Sequence, residues 1–209
     1  MTTSRQQHWQ EVYTTKGEDE VSWFQDRPQT SLDLIAQTGL TAKASLIDIG
    51  GGASRLVDAL LDLGWRDVAV LDIAAAALAK ARERLGPRGV GADWGVDWIV
   101  ADVTSWRPQR RYDLWHDRAV FHFLTDAEDR AAYRAALRAA VPPGGHVVIG
   151  SFAPDGPERC SGLPVQRYSP ESLQAELGPD FVLQQALQEG HHTPAGRLQH
   201  FQFSRFRRL

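Results

Sequence analysis

Three acidic residues stand inside or directly after short apolar runs of the sequence, where their carboxylates could bind a polar ligand. Asp48 lies within the first of these runs, Asp72 ends the second, and Asp102 comes just after the third. A carboxylate at Asp72 could accept hydrogen bonds from both hydroxyl groups of a ribose, and Asp102 could accept one from the exocyclic amino group of a base. Each acid alone could instead cap a following helix. Together the three acids favour a binding site for a nucleoside.

Three consecutive glycines, Gly50, Gly51 and Gly52, follow Asp48 where the first apolar run gives way to a helical pattern. Because glycine has no side chain, the backbone N–H groups of such a turn can approach a ligand closely. A nicotinamide-dinucleotide fingerprint requires G-x-G-x-x-G, and the sixth position counted from Gly50 is Arg55. The sequence therefore disfavours a nicotinamide-dependent oxidoreductase, which stays as an alternative from another class of function.

The elements that must position these residues alternate between short apolar runs and helical patterns, which predicts an α/β fold with a mostly parallel sheet. Strands are predicted at 45–50, 67–72, 97–101, 112–116 and 146–152, followed by an antiparallel hairpin of 181–188 and 198–206. Helices are predicted at 4–13, 28–37, 56–63, 74–85, 125–141 and 169–178. Glu128 stands three residues after Thr125, which predicts a capping box at the fifth of these helices. Because ligands bind beyond the carboxyl ends of such strands, the fold would bring the three acids to one edge.

Length and charge narrow the classes of protein. The 209 residues favour a single domain, with 1–44 as a helical cap and 45–209 as the core. The formal net charge of −3 lacks the basic surplus of a nucleic-acid binder. No apolar run approaches the roughly 18 residues of a membrane helix, and the first ten residues lack the apolar run of a signal peptide. We expect a cytoplasmic monomer or homodimer with a small-molecule substrate and no nucleic-acid or membrane partner.

Cysteine and histidine usage gives no sign of a disulfide or a metal site. Cys160 is the single cysteine, so it has no partner within the chain. His191 and His192 lack a third ligand at close spacing, and we therefore predict no metal.

Five segments of the chain resemble, in order and with ordinary spacing, the successive motifs of class I S-adenosylmethionine-dependent methyltransferases. They are 46–54, 68–73, 99–103, 112–118 and 143–145. The resemblance implies a Rossmann-like, seven-stranded sheet ordered 3-2-1-4-5-7-6, with the last strand antiparallel and helices on both faces. It also implies S-adenosyl-L-methionine as the cofactor and S-adenosyl-L-homocysteine as its product. Ser54 stands where the family has a third glycine.

The same resemblance implies a role for each matching position. Asp48 and the glycine turn would bind the methionine part of the cofactor, Asp72 the ribose hydroxyls, and Asp102 with Val103 the adenine. The implied cofactor-binding residues are Asp48, Gly50, Gly51, Gly52, Ser54, Asp72, Ile73, Asp102, Val103 and His116.

The residues after the fourth strand, His116, Asp117 and Arg118, are the candidate catalytic residues, because this part of the family faces the transferred methyl. Methyl transfer requires alignment of the reacting atoms, and it requires a base only if the acceptor must lose a proton. His116 could be that base, contact the cofactor, or be a structural group. Asp117 and Arg118 could pair with each other, or Arg118 could bind an anionic substrate. This Asp-Arg pair is similar to that of thiopurine S-methyltransferases, which favours a thiol or another soft acceptor atom.

Substrate contacts are expected from the cap and from the loops after the fourth and fifth strands. The candidates are Tyr13, Trp23, Phe24, Arg118, His122, Cys160 and Tyr168, each with plain packing as the alternative. Trp94, Trp98 and Trp106 flank the strand that leads to Asp102, and we expect them near the adenine.

The leading hypothesis is methyl transfer to a small molecule. The alternatives are methylation of a protein lysine or other side chain, the oxidoreductase already named, and a binding module that keeps the fold without turnover.

Overall fold

A seven-stranded sheet covered by helices on both faces forms the centre of the molecule. The structure, a computed structural model, describes residues 4–89 and 95–209. The strands are β1 (Ser45–Ile49), β2 (Asp67–Asp72), β3 (Asp97–Val100), β4 (Leu114–Arg118), β5 (His146–Phe152), β6 (Arg159–Cys160), β7 (Leu163–Pro164), β8 (Phe181–His192) and β9 (Leu198–Arg208). The helices are α1 (Ser4–Thr15), α2 (Gln29–Ala36), α3 (Leu56–Asp62), α4 (Ala75–Leu85), α5 (Ala127–Ala140) and α6 (Pro170–Leu177), with 3₁₀ turns at Gly86–Gly89 and Phe121–Phe123.

The large sheet has the strand order β3-β2-β1-β4-β5-β9-β8. Strands β1 to β5 are parallel, whereas β9 runs antiparallel to both of its neighbours. The two-residue strands β6 and β7 form a separate ribbon. Without this ribbon the order is the expected 3-2-1-4-5-7-6, so the predicted Rossmann-like α/β fold is confirmed.

The core lies on both faces of the sheet, because successive strand residues point in opposite directions. Leu46 and Leu114 belong to the cluster beneath α2 and α3, whereas Ile47 and Trp115 belong to the cluster beneath α5 and α6. Asp48 and His116 are register partners on β1 and β4. They follow Leu46 and Leu114 by two positions and therefore share the α2 face of the sheet.

Several element boundaries differ from the predictions. β4 covers Leu114–Arg118 and so extends two residues further than expected. The capping box predicted at Thr125 is wrong, because α5 begins after Asp126 and has no side-chain cap. A capping box is found instead at α6, where Ser169 and Ser172 bond reciprocally.

The hairpin of β8 and β9 contacts the segment between α1 and α2. The Nε2 atom of His191 donates to the carbonyl oxygen of Ser22 at 2.8 Å. The side-chain amide of Gln25 donates to Glu189 at 2.8 Å. These contacts fix the loop that carries Trp23.

No helix in the described part of the chain is long and apolar enough to cross a lipid bilayer.

Candidate functional site

Two adjoining cavities open beyond the carboxyl ends of the central parallel strands. Together with the space open to solvent at their mouths, they measure about 740 and 520 Å³. Tyr13, Trp23, Gly50 and Arg118 line both of them, so one elongated ligand could extend from one cavity to the other.

The larger cavity combines carboxylates at strand ends with apolar and aromatic walls. Asp72 is the last residue of β2 and Ile73 follows it, whereas Asp102 and Val103 lie after β3. The remaining walls are largely apolar and include Trp9, Ile49, Leu71, Ala101, Val120, Phe123 and Leu124. Such a surface fits a flat heterocycle joined to a hydroxylated sugar, because the acids can accept hydrogen bonds while the apolar groups contact the ring.

Asp72 is a buried carboxylate at the end of β2. Its Oδ1 atom accepts a hydrogen bond from the backbone N–H of Ala74 at 2.8 Å. Burial raises the pKa of Asp72 to about 7, and the neighbouring Asp48 adds to the rise. Hydroxyl groups that donate to this carboxylate would stabilise its charged form, as a ribose diol would.

Asp102 also borders the larger cavity, but its carboxylate is already partly engaged. Its Oδ1 atom accepts from the backbone N–H and the hydroxyl of Thr104 at 2.9 and 2.7 Å. Its Oδ2 atom lies 3.5 Å from Arg5, which also pairs with Asp129. Any base amino group that reaches Asp102 would therefore share the carboxylate with Arg5.

Sequence reasoning missed Arg5, the residue of α1 that reaches Asp102. Arg5, Trp9 and Tyr13 recur every four residues on α1 and all line the larger cavity. This spacing on one helix face is the signal that could have found them.

The glycine turn lies between the two cavities and requires glycine for steric reasons. Gly50 and Gly52 have positive φ angles of 65° and 45°. A Cβ atom at Gly50 would lie 2.0 Å from Val120, and one at Gly52 would lie 2.7 Å from Asp72. A side chain at either position would clash with the surrounding site.

The smaller cavity contains the remaining part of the predicted cofactor site. Asp48, Gly51 and Ser54 line it, as does Phe24. A Cβ atom at Gly51 would lie only 2.5 Å from Asp48 Oδ2, so this carboxylate oxygen lies against the glycine turn.

His116 lines the smaller cavity, but both of its ring nitrogens have buried partners. Nδ1 lies 2.6 Å from Asp48 Oδ1, and Nε2 lies 2.9 Å from the hydroxyl of Ser31 on α2. The ring therefore has no unpartnered nitrogen with which to take a proton from a substrate. This geometry does not support the interpretation of His116 as a general base.

Asp117 is fully buried and lines neither of these cavities. Its carboxylate accepts from the backbone N–H groups of Val120 and Phe121 at 2.9 and 3.1 Å and from the Tyr133 hydroxyl at 2.7 Å. Burial raises the pKa of Asp117 to about 6. Of the two alternatives for Asp117 and Arg118, the ion pair is not formed, because the two residues point to opposite faces of β4. Asp117 instead stabilises the turn after β4, so its position does not support a catalytic role.

Arg118 borders both cavities with incompletely used hydrogen-bond donors. Its Nη1 atom donates to the carbonyl oxygen of Trp23 at 2.8 Å, and its guanidinium group lies 4.7 Å from the ring centre of Phe201. Nε and Nη2 are buried and have no hydrogen-bond partner in the structure. Burial lowers the pKa of Arg118 to about 10, so the group remains cationic at neutral pH.

The predicted substrate contacts divide into two groups. Tyr13, Trp23 and Cys160 line the larger cavity. Burial raises the pKa of Cys160 to about 11, so it is a thiol at neutral pH. His122 and Tyr168 line neither cavity, so the structure does not support their predicted contacts with substrate.

Both of these excluded residues are core side chains. The ring of His122 packs 4.7 Å from Phe152, and burial lowers its pKa to about 3. Tyr168 packs 5.3 Å from Phe121. Their positions explain why histidine and tyrosine near a predicted site need not face it.

The tryptophans expected near the adenine lie elsewhere. Trp98 donates its indole N–H to the carbonyl oxygen of Gly89 at 3.0 Å, and Trp106 packs 6.3 Å from Trp115. Neither lines the two cavities, so the structure does not support that expectation for either; Trp94 lies outside the described residues. Trp9 and Trp23, whose rings are 5.7 Å apart, form the aromatic wall instead.

The similarity of the chain to known proteins agrees with this geometry. Residues 47–147 match the family model of a methyltransferase domain. Nodulation protein S of Sinorhizobium fredii is 30% identical over 136 residues, which are 64% of this chain and 58% of that protein. Trans-aconitate 2-methyltransferase of Rhizobium etli is 32% identical over 122 residues, which are 58% of this chain and 42% of that protein. The chain thus spans about half the length of the curated relatives it matches.

A solved structure extends the comparison to nearly the whole chain. The N-methyltransferase NodS of Bradyrhizobium japonicum, in complex with S-adenosyl-L-homocysteine, superimposes with a TM-score of 0.70 at 18% identity. The superposition covers 97% of this chain and 98% of that one. This likeness shows a shared Rossmann-like fold.

Proposed function

We propose that this chain, which belongs to the class I S-adenosylmethionine-dependent methyltransferases, transfers a methyl group from S-adenosyl-L-methionine to a small molecule. The observation that carries the proposal is the arrangement of Asp48, Asp72 and Asp102 around the glycine turn and its two adjoining cavities. The product would be S-adenosyl-L-homocysteine. The name of the NodS structure supports this cofactor, since that enzyme was solved with the same product.

The described residues fit such a cofactor. Asp72 would accept from the ribose hydroxyls, and Ile73 would contact the adenine beside Asp102 and Val103. Asp48 would accept from the cationic amino group of the methionine part, next to the backbone of the glycine turn and Ser54. The required absence of Cβ atoms at Gly50 and Gly52 leaves the close approach that these contacts need.

The cofactor, when bound, supplies a methyl group on a positively charged sulfur. The protein's task is then to align the acceptor and exclude water. Trp9 and Trp23 are suited to this task, because their rings line the cavity and present faces that attract a cation. Tyr13 lies beside them, and burial raises the pKa of its phenol, which stays protonated.

The acceptor we favour is a small thiol or another soft heteroatom. Both ring nitrogens of His116 are occupied, so an acceptor that ionises without a protein base suits this site. A thiol meets that requirement better than an alcohol. We further propose that Arg118 binds an anionic group of the acceptor, because two of its buried nitrogens lack hydrogen-bond partners in the described part of the chain.

The aromatic enclosure favours a small molecule over the side chain of a protein. Trp9, Trp23, Phe24 and Phe123 border the cavities, whereas a protein substrate would need an open groove. The alternative of a nicotinamide-dependent oxidoreductase gains no support from Arg55, which stands where the dinucleotide fingerprint requires its third glycine. This side chain forms ion pairs with Glu18 and Asp26.

Calorimetric titration tests the cofactor first. We expect S-adenosyl-L-methionine and S-adenosyl-L-homocysteine to bind, and NADH to show no binding. Binding of NADH without either sulfur compound would overturn the proposal.

The acceptor is tested with a labelled methyl donor and matched panels of thiols, phenols, amines and peptides. Preferential labelling of thiols would support the proposal that the acceptor is a thiol. Preferential labelling of peptides would replace it with methylation of proteins, and cofactor binding without transfer to any acceptor would favour a binding module.

A further inference from the structure

We infer that Ser31 and His116 are positioning residues that hold the Asp48 carboxylate for the cationic amino group of the methyl donor. The inference rests on the proposed function, because it concerns the same donor and the same cavity. Ser31 lies on α2, outside the motifs that carry the family resemblance.

A continuous chain of hydrogen bonds joins the cap to the glycine turn. Ser31 Oγ lies 2.9 Å from His116 Nε2, and His116 Nδ1 lies 2.6 Å from Asp48 Oδ1. The three residues are 1%, 2% and 3% exposed. Buried polar groups with this geometry fix one another, since a lost partner would leave the next group unsatisfied.

The chemistry of the groups sets the direction of the chain. An ionised Asp48 can only accept, so the Nδ1 atom of His116 must carry the hydrogen between them. In a neutral ring Nε2 then accepts from the hydroxyl of Ser31. Asp48 therefore selects the neutral tautomer that is protonated at Nδ1, and the hydroxyl of Ser31 can donate to the Nε2 atom of that tautomer.

The chain leaves the second oxygen of Asp48 for a ligand. Oδ1 is occupied by His116, while Oδ2 lies against Gly51 at the wall of the smaller cavity. A fixed, negatively charged oxygen beside backbone N–H groups suits an ammonium group that carries its own carboxylate.

Two ligands separate this inference from general effects on the site. S-adenosyl-L-homocysteine carries the amino group, whereas 5′-methylthioadenosine has the same nucleoside and lacks the amino-acid tail. His116→Leu should weaken binding of S-adenosyl-L-homocysteine roughly tenfold or more, because a charge-assisted hydrogen bond is lost. Binding of 5′-methylthioadenosine should stay unchanged in calorimetric titrations of the full chain.

Conservative variants test positioning against simple packing. His116→Asn places an amide nitrogen near the original Nδ1 position and should restore most of the lost affinity. In the native background, Ser31→Ala should weaken binding of S-adenosyl-L-homocysteine roughly fivefold, because a hydrogen bond with a net contribution of about 1 kcal/mol is lost. In the His116→Asn background it should cost nothing more, because the shorter side chain does not reach Ser31.

Matched controls come from buried residues that lie apart from the cavities. Ser151→Ala removes a buried hydroxyl that has no hydrogen-bond partner among the described residues, and His122→Asn changes a buried histidine that lines neither cavity. Neither control should alter the ratio of the two ligands' affinities. Equal losses for both ligands in the Ser31 and His116 variants would overturn the inference.

A measurement on the unliganded protein keeps the inference testable if the leucine variant does not fold. Long-range ¹H–¹⁵N correlation spectra of the imidazole rings, with His116 identified by its absence in His116→Asn, should show a proton on the Nδ1 atom of His116. Protonation at Nε2 alone would contradict the chain. If the native chain binds neither ligand, the proposed function itself fails; if it binds both and the variants keep the native affinity ratio, only this inference fails.

Discussion

Asp72 and Trp23 face the same cavity, but different parts of the molecule hold them in place. Asp72 ends β2, whose backbone pairs with β1 and β3 along its length. Trp23 lies in a loop whose backbone carbonyl accepts from Arg118, next to a serine bonded to His191. The sheet edge is thus fixed by repeated backbone bonding, whereas the cap depends on a few distant side chains.

This difference predicts a division of labour between the sheet edge and the cap. Residues at strand ends should dominate cofactor affinity, because their carboxylates are held rigidly where the polar groups of a nucleoside would lie. Residues of the cap should matter less individually. Four substitutions test this division of labour.

Asp72→Ala should have the largest effect. Loss of two hydrogen bonds to a charged group should weaken binding of S-adenosyl-L-homocysteine by roughly 100-fold or more, measured by calorimetry. Asp62→Ala, which removes an exposed carboxylate paired with Arg88, is the matched control and should bind normally. Unchanged affinity in Asp72→Ala would refute the assignment of the ribose to this residue.

The stability of the unliganded protein should depend on pH through Asp72. The pKa of this carboxyl rises from 3.8 to about 7 on folding, so the folded state keeps a proton that the unfolded state releases. Stability from this group is therefore full below pH 3.8 and is lost as the pH rises through 7. Between pH 5.5 and 7 the loss should approach about 2 kcal/mol.

Urea unfolding across this pH range measures the effect. Asp72→Asn should flatten the profile and should be more stable than the native protein at pH 8. Asp117 has a pKa raised to about 6 and contributes a change of the same sign, so some dependence should remain. If the free energy of unfolding of the native protein rose with pH over this interval, the prediction would be contradicted, because burial of the ionised Asp72 would then not destabilise the folded state.

Arg118→Gln should act on the acceptor and leave the cofactor unaffected. For any thiol that the enzyme methylates, the KM of the carboxylate-bearing form should rise roughly tenfold, because one charge-assisted bond is lost. The KM of the matching amide, such as 3-mercaptopropionamide beside 3-mercaptopropionate, should stay the same. Equal changes for both thiols would assign Arg118 to packing against Phe201.

Arg5→Ala should have the smallest effect. Its ion pairs with Asp102 and Asp129 are partly exposed and should contribute at most about 1 kcal/mol. Affinity for S-adenosyl-L-homocysteine should therefore change less than about fivefold. A larger loss in calorimetry would give the cap a share of cofactor binding comparable to that of the sheet edge.

The same contrast explains which features could be predicted from the sequence. The strands followed from alternating apolar runs and their order from the resemblance to the methyltransferase family, and the three acids do lie at strand ends. Alternation along β4 also places Asp117 and Arg118 on opposite faces, so the pairing of these neighbours could have been rejected from the sequence. Local periodicity therefore determines the face on which a side chain lies.

Local periodicity does not determine what a side chain meets on that face. His116 bonds to Ser31, which is 85 positions away, and Arg5 reaches Asp102 across 97 positions. These contacts depend on how α1 and α2 dock on the sheet. Docking is decided by packing among many residues, and no short pattern in the sequence encodes it.

The contacts between the β8–β9 hairpin and the loop around Trp23 also constrain the order of folding. Gln25 and Glu189 are 164 positions apart, and Ser22 and His191 are 169 apart. Because a ribosome releases the chain from its N-terminus, the loop is synthesised long before the strand that anchors it. The aromatic wall of the cavity can reach its final place only after nearly the whole chain has emerged, while the nascent protein still exposes Trp9 and Trp23 to water.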